Sequence, residues 1–319
     1  MIGVLGAGAF GTALALALAH REPVHLWGRD ADTMARIAVE RTTPRLPGVT
    51  LPGMVTVTGD IAALSACRIL LLAVPMQALG DLMPALTGLR PEVAVAACKG
   101  IDLTTLRGPT ALIADGLPQA IPAILSGPSF AADIARGLPT ALSLGCADDG
   151  MGREVQHALS TPVLRLYRTT DVAGVEAGGA LKNVIAIACG AAIGAGLGDS
   201  ARAALMTRGM AEMQRLAGAL GARPETLMGL SGLGDLALTC ASPASRNFAL
   251  GLALGRGDPR PAATTEGVAT ADAALRLAAE RGLDLPVTEA TAGLVAGRLT
   301  VKDAMTALLT RDLKTEVTT

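Results

Sequence analysis

Through the first half of the chain, short apolar runs of strand length alternate with longer stretches of helical periodicity. MIGVL opens the chain as a buried strand, GAGAFG follows as a glycine turn, and TALALALAHRE reads as a helix. PVHLWGRD predicts a second strand and VTVTGD (55–60) a third. CRILLLAVP (67–75), VAVAACKG (93–100), AILSG (123–127) and TALSLGC (140–146) continue the series, with helical stretches such as MQALGDLMPALTGL between several of them. Near-continuous apolar strands separated by helices imply a largely parallel sheet covered on both faces.

After about residue 170 no comparable strand runs occur. Helical patterns take over at 171–193, 199–220, 243–255, 267–282, 287–297 and 301–310. Asp199 or Ser200 is placed to cap the second of these and Gly221 to end it; Ser242-Pro243 supplies cap and first-turn proline for the third. The pattern predicts an α/β domain, residues 1–170, joined to an all-helical domain, residues 171–319, with the boundary near Thr169–Asp171.

Composition narrows the class. The chain has 319 residues, 50% hydrophobic and 17% charged, against about 25% charged in average domains. That is ample for a large core and suggests buried domain or subunit contacts. A net charge of −1 with no run of like charge argues against nucleic acid and anionic membrane surfaces as partners. The five cysteines include no CxxC, so neither a disulfide framework nor a metal site is expected, and a reducing cytosol fits. The first twenty residues are nearly uncharged, but they lack a basic leader and are broken by Gly3, Gly6, Gly8 and Gly11, unlike a membrane span or signal peptide.

Those glycines carry chemistry. Gly6-x-Gly8-x-x-Gly11 follows a strand, opens a helix and precedes a second strand, the context of a Rossmann-type dinucleotide site. Gly6 permits the tight turn, Gly8 admits the pyrophosphate, and Gly11 lets helix pack on strand. The helix start offers free N–H groups to phosphate. At the end of the second strand stand Arg29 and Asp30. An acidic residue there favours the ribose hydroxyls of NAD, an arginine the 2′-phosphate of NADP. Arg29 lies nearer the strand end, so the reading leans to NADP and leaves NAD open, as it leaves open Arg29 as ordinary surface charge.

Ligands in such folds lie beyond the carboxyl ends of the strands. Val74-Pro75 there would border the cofactor with backbone, and Lys99 would project into the crevice. Ser126-Gly127-Pro128-Ser129-Phe130 ends another strand and starts a helix that Ser126 could cap, a second anion-binding corner to which Ser129 adds a hydroxyl. In the helical half, VEAGGALKNVIAIAC places Lys182 and Asn183 in an apolar stretch. Such a lysine either snorkels to water or, desolvated, gives up its proton and acts as a base. SGLGDLALT puts Asp235 after a glycine-rich, flexible loop, either capping a turn or orienting Lys182. Ser245-Arg246-Asn247 at a helix start suits a phosphate, with a solvated arginine as the plainer alternative.

Taken in order, GAGAFGTALA, KGI, SGPSFA, GGALKNVIAI, MTRGMAEM, SGLGDLALTC, SRN and TEGV resemble bacterial NAD(P)-dependent glycerol-3-phosphate dehydrogenases across essentially the whole chain. The resemblance implies a cytoplasmic, typically homodimeric enzyme that uses NADP or NAD. It would interconvert dihydroxyacetone phosphate and sn-glycerol 3-phosphate and feed phospholipid synthesis. It implies Lys182 as proton acceptor, with Lys99, Gly127, Ser129, Asp235, Ser245, Arg246 and Asn247 on the substrate side. Ala9, Phe10, Arg29, Lys99, Ala131, Arg246, Thr264 and Glu266 would lie on the cofactor side. Ala9 departs from the serine or threonine common in that turn, and the stretch from Asn247 to Glu266 is short. A β-hydroxyacid dehydrogenase or ketopantoate-type reductase also joins a dinucleotide domain to helices with a lysine base. Its substrates carry a carboxylate, whereas two helix starts here favour a phosphate. A cofactor-sensing protein without turnover would keep the glycine motif but would have no need of Lys182, Asp235 and Arg246 together.

Overall fold

A computed structural model describes residues 1–262 and 265–311. Eight strands form one sheet: β1 (Ile2–Leu5), β2 (Val24–Trp27), β3 (Val55–Thr58), β4 (Ile69–Leu72), β5 (Val93–Ala96), β6 (Ile121–Ser126), β7 (Thr140–Cys146) and β8 (Leu164–Thr169). Their order is β3-β2-β1-β4-β5-β6-β7-β8. The first six run parallel; β7 pairs antiparallel to β6, and β8 parallel to β7. Strand order reverses between β1 and β4, which makes the carboxyl end of β1 the switch point where doubly wound sheets bind ligands.

Helices α1 (Ala9–Leu18), α2 (Ala31–Glu40), α3 (Leu79–Leu86), α4 (Pro109–Gly116), α5 (Ala131–Ala135) and α6 (Asp149–Leu159) are interspersed with the strands. Alternate strand residues feed two separate cores. Val4, Leu71, Val93 and Val95 pack on one face, and Leu5, Leu70, Leu72, Ala94 and Ala96 on the other. Burial on both faces is why these strands read as unbroken apolar runs. Strand β8 was not expected. Its sequence LRLYRT alternates buried leucines with exposed or half-exposed Arg165, Tyr167 and Arg168, as suits a charged edge strand with one covered face.

Beyond the sheet come α7 (Val172–Gly194), α8 (Gly198–Ala219), α9 (Pro224–Leu227), a π-helical turn at Leu230–Gly234, α10 (Asp235–Cys240), α11 (Arg246–Arg256), α12 (Glu266–Glu280), α13 (Pro286–Val295) and α14 (Val301–Leu309). Three capping expectations are corrected. Helix α8 starts at Gly198 without a side-chain cap, so neither Asp199 nor Ser200 plays that part. Ser126 does not cap α5, whose N-cap is Phe130, because it is still in the β6 ladder. Ser245, not Ser242, caps α11 by accepting from the Phe248 amide; Ser242 turns the preceding loop through the Ala244 amide.

Helix α7 is the axis of the molecule. It is buried on nearly every side, and its one long apolar span of membrane-crossing length is wrapped by protein. Its first turns meet the sheet: Gly145 lets β7 approach Val172 and Val175, and Gly179 leaves room for Ser126. Its last turns lie against α11 at backbone distance. A Cβ at Gly190 would collide with the Phe248 carbonyl, one at Gly194 with that of Leu252, and one at Gly251 with that of Ile187. Small residues spaced by four on both helices allow this contact. Gly251→Ala should therefore destabilise the protein by about 1–3 kcal/mol, the usual cost of overpacking, read as a lower midpoint in chemical denaturation. An unchanged midpoint would mean the helices can part at no cost.

Candidate active site

The glycine turn after β1 is built as a phosphate cradle. Gly6 has φ +113°, and a Cβ there would stand 2.6 Å from the Ala73 carbonyl oxygen beyond β4. Gly11 packs so closely on the Gly6 carbonyl that no side chain fits. Gly8 faces open space, is the N-cap of α1, and supplies no capping side chain. The first amides of α1, from Ala9, Phe10 and Gly11, have no partner within the helix and follow the open space at Gly8, the arrangement a dinucleotide pyrophosphate requires. At the end of β2, Asp30 caps α2, accepting from the Thr33 amide and, at 2.6 Å, from its hydroxyl. These bonds hold its carboxyl below the usual range. Arg29 is exposed and has no hydrogen bond or ion pair among the described residues.

Facing the sheet rim, three side chains from distant parts of the chain meet. Lys182, in the middle of α7, is 7% exposed and donates to Asp235 Oδ1 at 2.6 Å and to Thr239 Oγ1 at 2.8 Å. Asp235, first residue of α10, is 1% exposed. Lys99, just past β5, donates to Asp235 Oδ2 at 2.5 Å and to the Gly127 carbonyl at 3.2 Å. The segment before Asp235 is not the loose loop its glycines suggested. It is a π-helical turn with Ser231 and Gly232 buried, seated on α7 where Gly178 has no Cβ to obstruct the Ser231 carbonyl. That packing sets Asp235 opposite Lys182.

Burial dominates the electrostatics. It lowers the Lys182 ammonium from its ordinary value to about 8, against the attraction of Asp235 and with a further push from Lys99. Burial works to raise Asp235, but the two ammonium groups outweigh it and hold the carboxylate ionised. Lys182 is therefore a group that changes charge near neutral pH, in a place where both forms are hydrogen-bonded.

Of the other expected residues, Gly127 and Ser129 join this cluster through the Gly127 carbonyl. Ser129, half-buried, donates to the Gly127 carbonyl, and Gly127 itself has φ +148°, open to glycine alone. Ala131 opens α5. Arg246 is the first residue of α11, exposed and free of hydrogen bonds and ion pairs among the described residues. Asn247 is turned inward: its amide donates to Asn183 and its carbonyl accepts from the Gly267 amide, tying α7, α11 and α12 together. Glu266, first residue of α12, accepts from the Met76 amide at the end of the Val74–Pro75 loop. Burial raises its carboxyl while nearby Arg246 opposes the rise. Thr264 lies outside the described residues. Thr239 was not singled out from sequence; it sits one helical turn after Asp235, and that i, i+4 spacing was the available signal.

A doubly wound sheet with a phosphate cradle at its switch point, faced by a buried lysine–carboxylate group, defines a nicotinamide-dinucleotide-dependent dehydrogenase. Comparison with known proteins identifies which kind. The model of the NAD-dependent glycerol-3-phosphate dehydrogenase N-terminus matches residues 1–151, and that of the C-terminus matches residues 171–306. The chain belongs to the NAD-dependent glycerol-3-phosphate dehydrogenase family. A curated NAD(P)+ glycerol-3-phosphate dehydrogenase from Ruegeria sp. is 58% identical over 318 residues, covering 99% of each chain. One from Paracoccus denitrificans is 57% identical over 317 residues, again covering 99% of each. The crystal structure of glycerol-3-phosphate dehydrogenase from Coxiella burnetii superposes with a TM-score of 0.92 at 35% identity, covering 97% of this chain and 98% of that one. A ketopantoate reductase from Staphylococcus aureus shares the fold alone, with a TM-score of 0.60 at 17% identity over 93% of this chain and 97% of that one.

Proposed function

We propose that the protein interconverts sn-glycerol 3-phosphate and dihydroxyacetone phosphate with NADP or NAD, in the cytoplasm and as a homodimer, supplying glycerophospholipid synthesis. The observation that carries the reading is the buried Lys182–Asp235 pair, and an exposed Arg246 at a helix start supplies a candidate phosphate contact. Family membership supports the substrate, and five unpaired thiols suit a reducing compartment. The homodimer rests on family resemblance.

A bound nicotinamide would supply hydride exchange with carbon 2 of the substrate. The chain supplies the proton chemistry. Two of the three Lys182 ammonium hydrogens are taken by Asp235 and Thr239. The third position, N–H or lone pair, is left for the substrate oxygen. In the oxidation direction neutral Lys182 Nζ takes the hydroxyl proton; in reduction the ammonium returns it and stabilises the developing alkoxide. Asp235 keeps the amine aimed in both directions. Arg246 and the free amides at the start of α11 grip the phosphate. Asn247 supports that grip from inside, holding the helix start in place. Arg29 favours the 2′-phosphate of NADP, since Asp30 is committed to its cap.

Lys182→Ala should cut turnover by roughly 10²–10⁴ while leaving dinucleotide affinity, measured by fluorescence titration, almost unchanged. Near-normal turnover would remove Lys182 from the base role. Arg246→Ala should weaken use of dihydroxyacetone phosphate far more than that of dihydroxyacetone, compared as kcat/KM. Equal losses on the two ketones would rule out a phosphate grip.

A further inference from the structure

We propose that Lys99 does more than add positive charge for a substrate: by occupying one oxygen of the Asp235 carboxylate, it sets the pH at which Lys182 becomes a free amine. This rests on Lys182 as the base. One carboxylate here serves two ammonium groups, Lys182 on Oδ1 at 2.6 Å and Lys99 on Oδ2 at 2.5 Å. With both lysines protonated the cluster carries a net positive charge in a place where Asp235 is 1% exposed. Such a cluster relieves itself by releasing a proton from the ammonium that is harder to solvate. Each lysine has one further acceptor, Thr239 Oγ1 for Lys182 and the Gly127 carbonyl for Lys99, but the Lys182 side chain is 8% exposed and the Lys99 side chain 15%. Lys182 is the one to yield.

Among the described residues no other charge competes for this part. On α7 itself, Glu176 is tied to the Thr110 amide and hydroxyl at the start of α4. On α8, Glu212 is tied to the amides of Val287 and Thr288, and Arg202 pairs with Asp199. On α10, contact with Cys189 and burial push the Cys240 thiol up, so it stays neutral. Arg246 on α11 and Glu266 on α12 interact with each other, while Glu225 on α9 and Glu289 on α13 are exposed. Strands β6 and β7 bring only the uncharged Ser126 and Ser143. Asp235 and Lys99 are the charged groups that shift Lys182.

The consequence differs from that of a substrate-binding charge. If Lys99 only attracts phosphate, its loss raises KM and leaves the titration of Lys182 where it was. If it tunes the base, its loss gives Asp235 wholly to Lys182, and the amine becomes harder to free. The test is the pH dependence of Lys182 acetylation by acetic anhydride in the full-length, ligand-free protein, read by peptide mass spectrometry. The wild-type midpoint should lie near 8. In Lys99→Met it should rise by about one pH unit or more, and in Lys99→Arg, which keeps the cation, it should stay close to wild type. An unmoved midpoint in Lys99→Met would overturn the proposal, and so would an equal rise in both variants. Labelling needs neither substrate nor turnover, so its failure is distinguishable from failure of Lys182→Ala to lose activity.

Discussion

The carboxylate of Asp235 is the point on which the proposed chemistry depends, because it holds both lysines of the cluster. It is almost wholly buried, and it is tolerable there because two ammonium groups hold its two oxygens. A buried ion pair is a poor device for stability, since desolvation consumes most of what attraction returns. Its value lies in what it does to Lys182. Burial works against the Lys182 ammonium and Asp235 works for it; the second lysine adds to the first effect, leaving a group that holds or releases its proton at about 8.

The fold exists to keep those three groups together. They come from the end of β5, the middle of α7 and the start of α10, and only close backbone contacts bring them within hydrogen-bond reach. Gly178 admits the π-helical turn that presents Asp235, and Gly179 admits Ser126 at the end of β6, one strand away from Lys99. Farther along α7, glycines on both helices bring α11 close enough for Asn247 to bond Asn183, which fixes the helix start carrying Arg246. Lys182, the helix start that carries Arg246 and the sheet rim are thereby referenced to one helix. The same helix is apolar enough to pass for a membrane span, because nearly all of its surface meets protein.

Much of this was legible in the residues. The inner strands announce themselves as apolar runs because both faces of the sheet are covered, the edge strand β3 by its alternating valines and threonines, and the long helices of the second half by their periodicity. The glycine turn was readable because its chemistry demands glycine at fixed spacing. Strand β8 was not, since an edge strand carrying Arg165, Tyr167 and Arg168 lacks the apolar continuity of the others. The site residues were named from motifs and family resemblance, and Asp235 was legible as a partner of Lys182, but the other partners were not. That Asp30 caps α2, that Asn247 faces inward and that Lys99 shares Asp235 with Lys182 all depend on which groups lie near in space. Separations of 136 residues, as between Lys99 and Asp235, leave no local trace.

The central claim is that Lys182 exchanges the substrate proton and that its surroundings put that exchange near neutral pH. The pH dependence of kcat/KM in both directions on the wild-type protein tests it most directly. Oxidation of sn-glycerol 3-phosphate should rise with pH through a midpoint near 8, as the amine becomes free, and reduction of dihydroxyacetone phosphate should fall through the same midpoint as the ammonium is lost. Profiles that stay flat across that interval, or that move in the same sense for the two directions, would contradict the account.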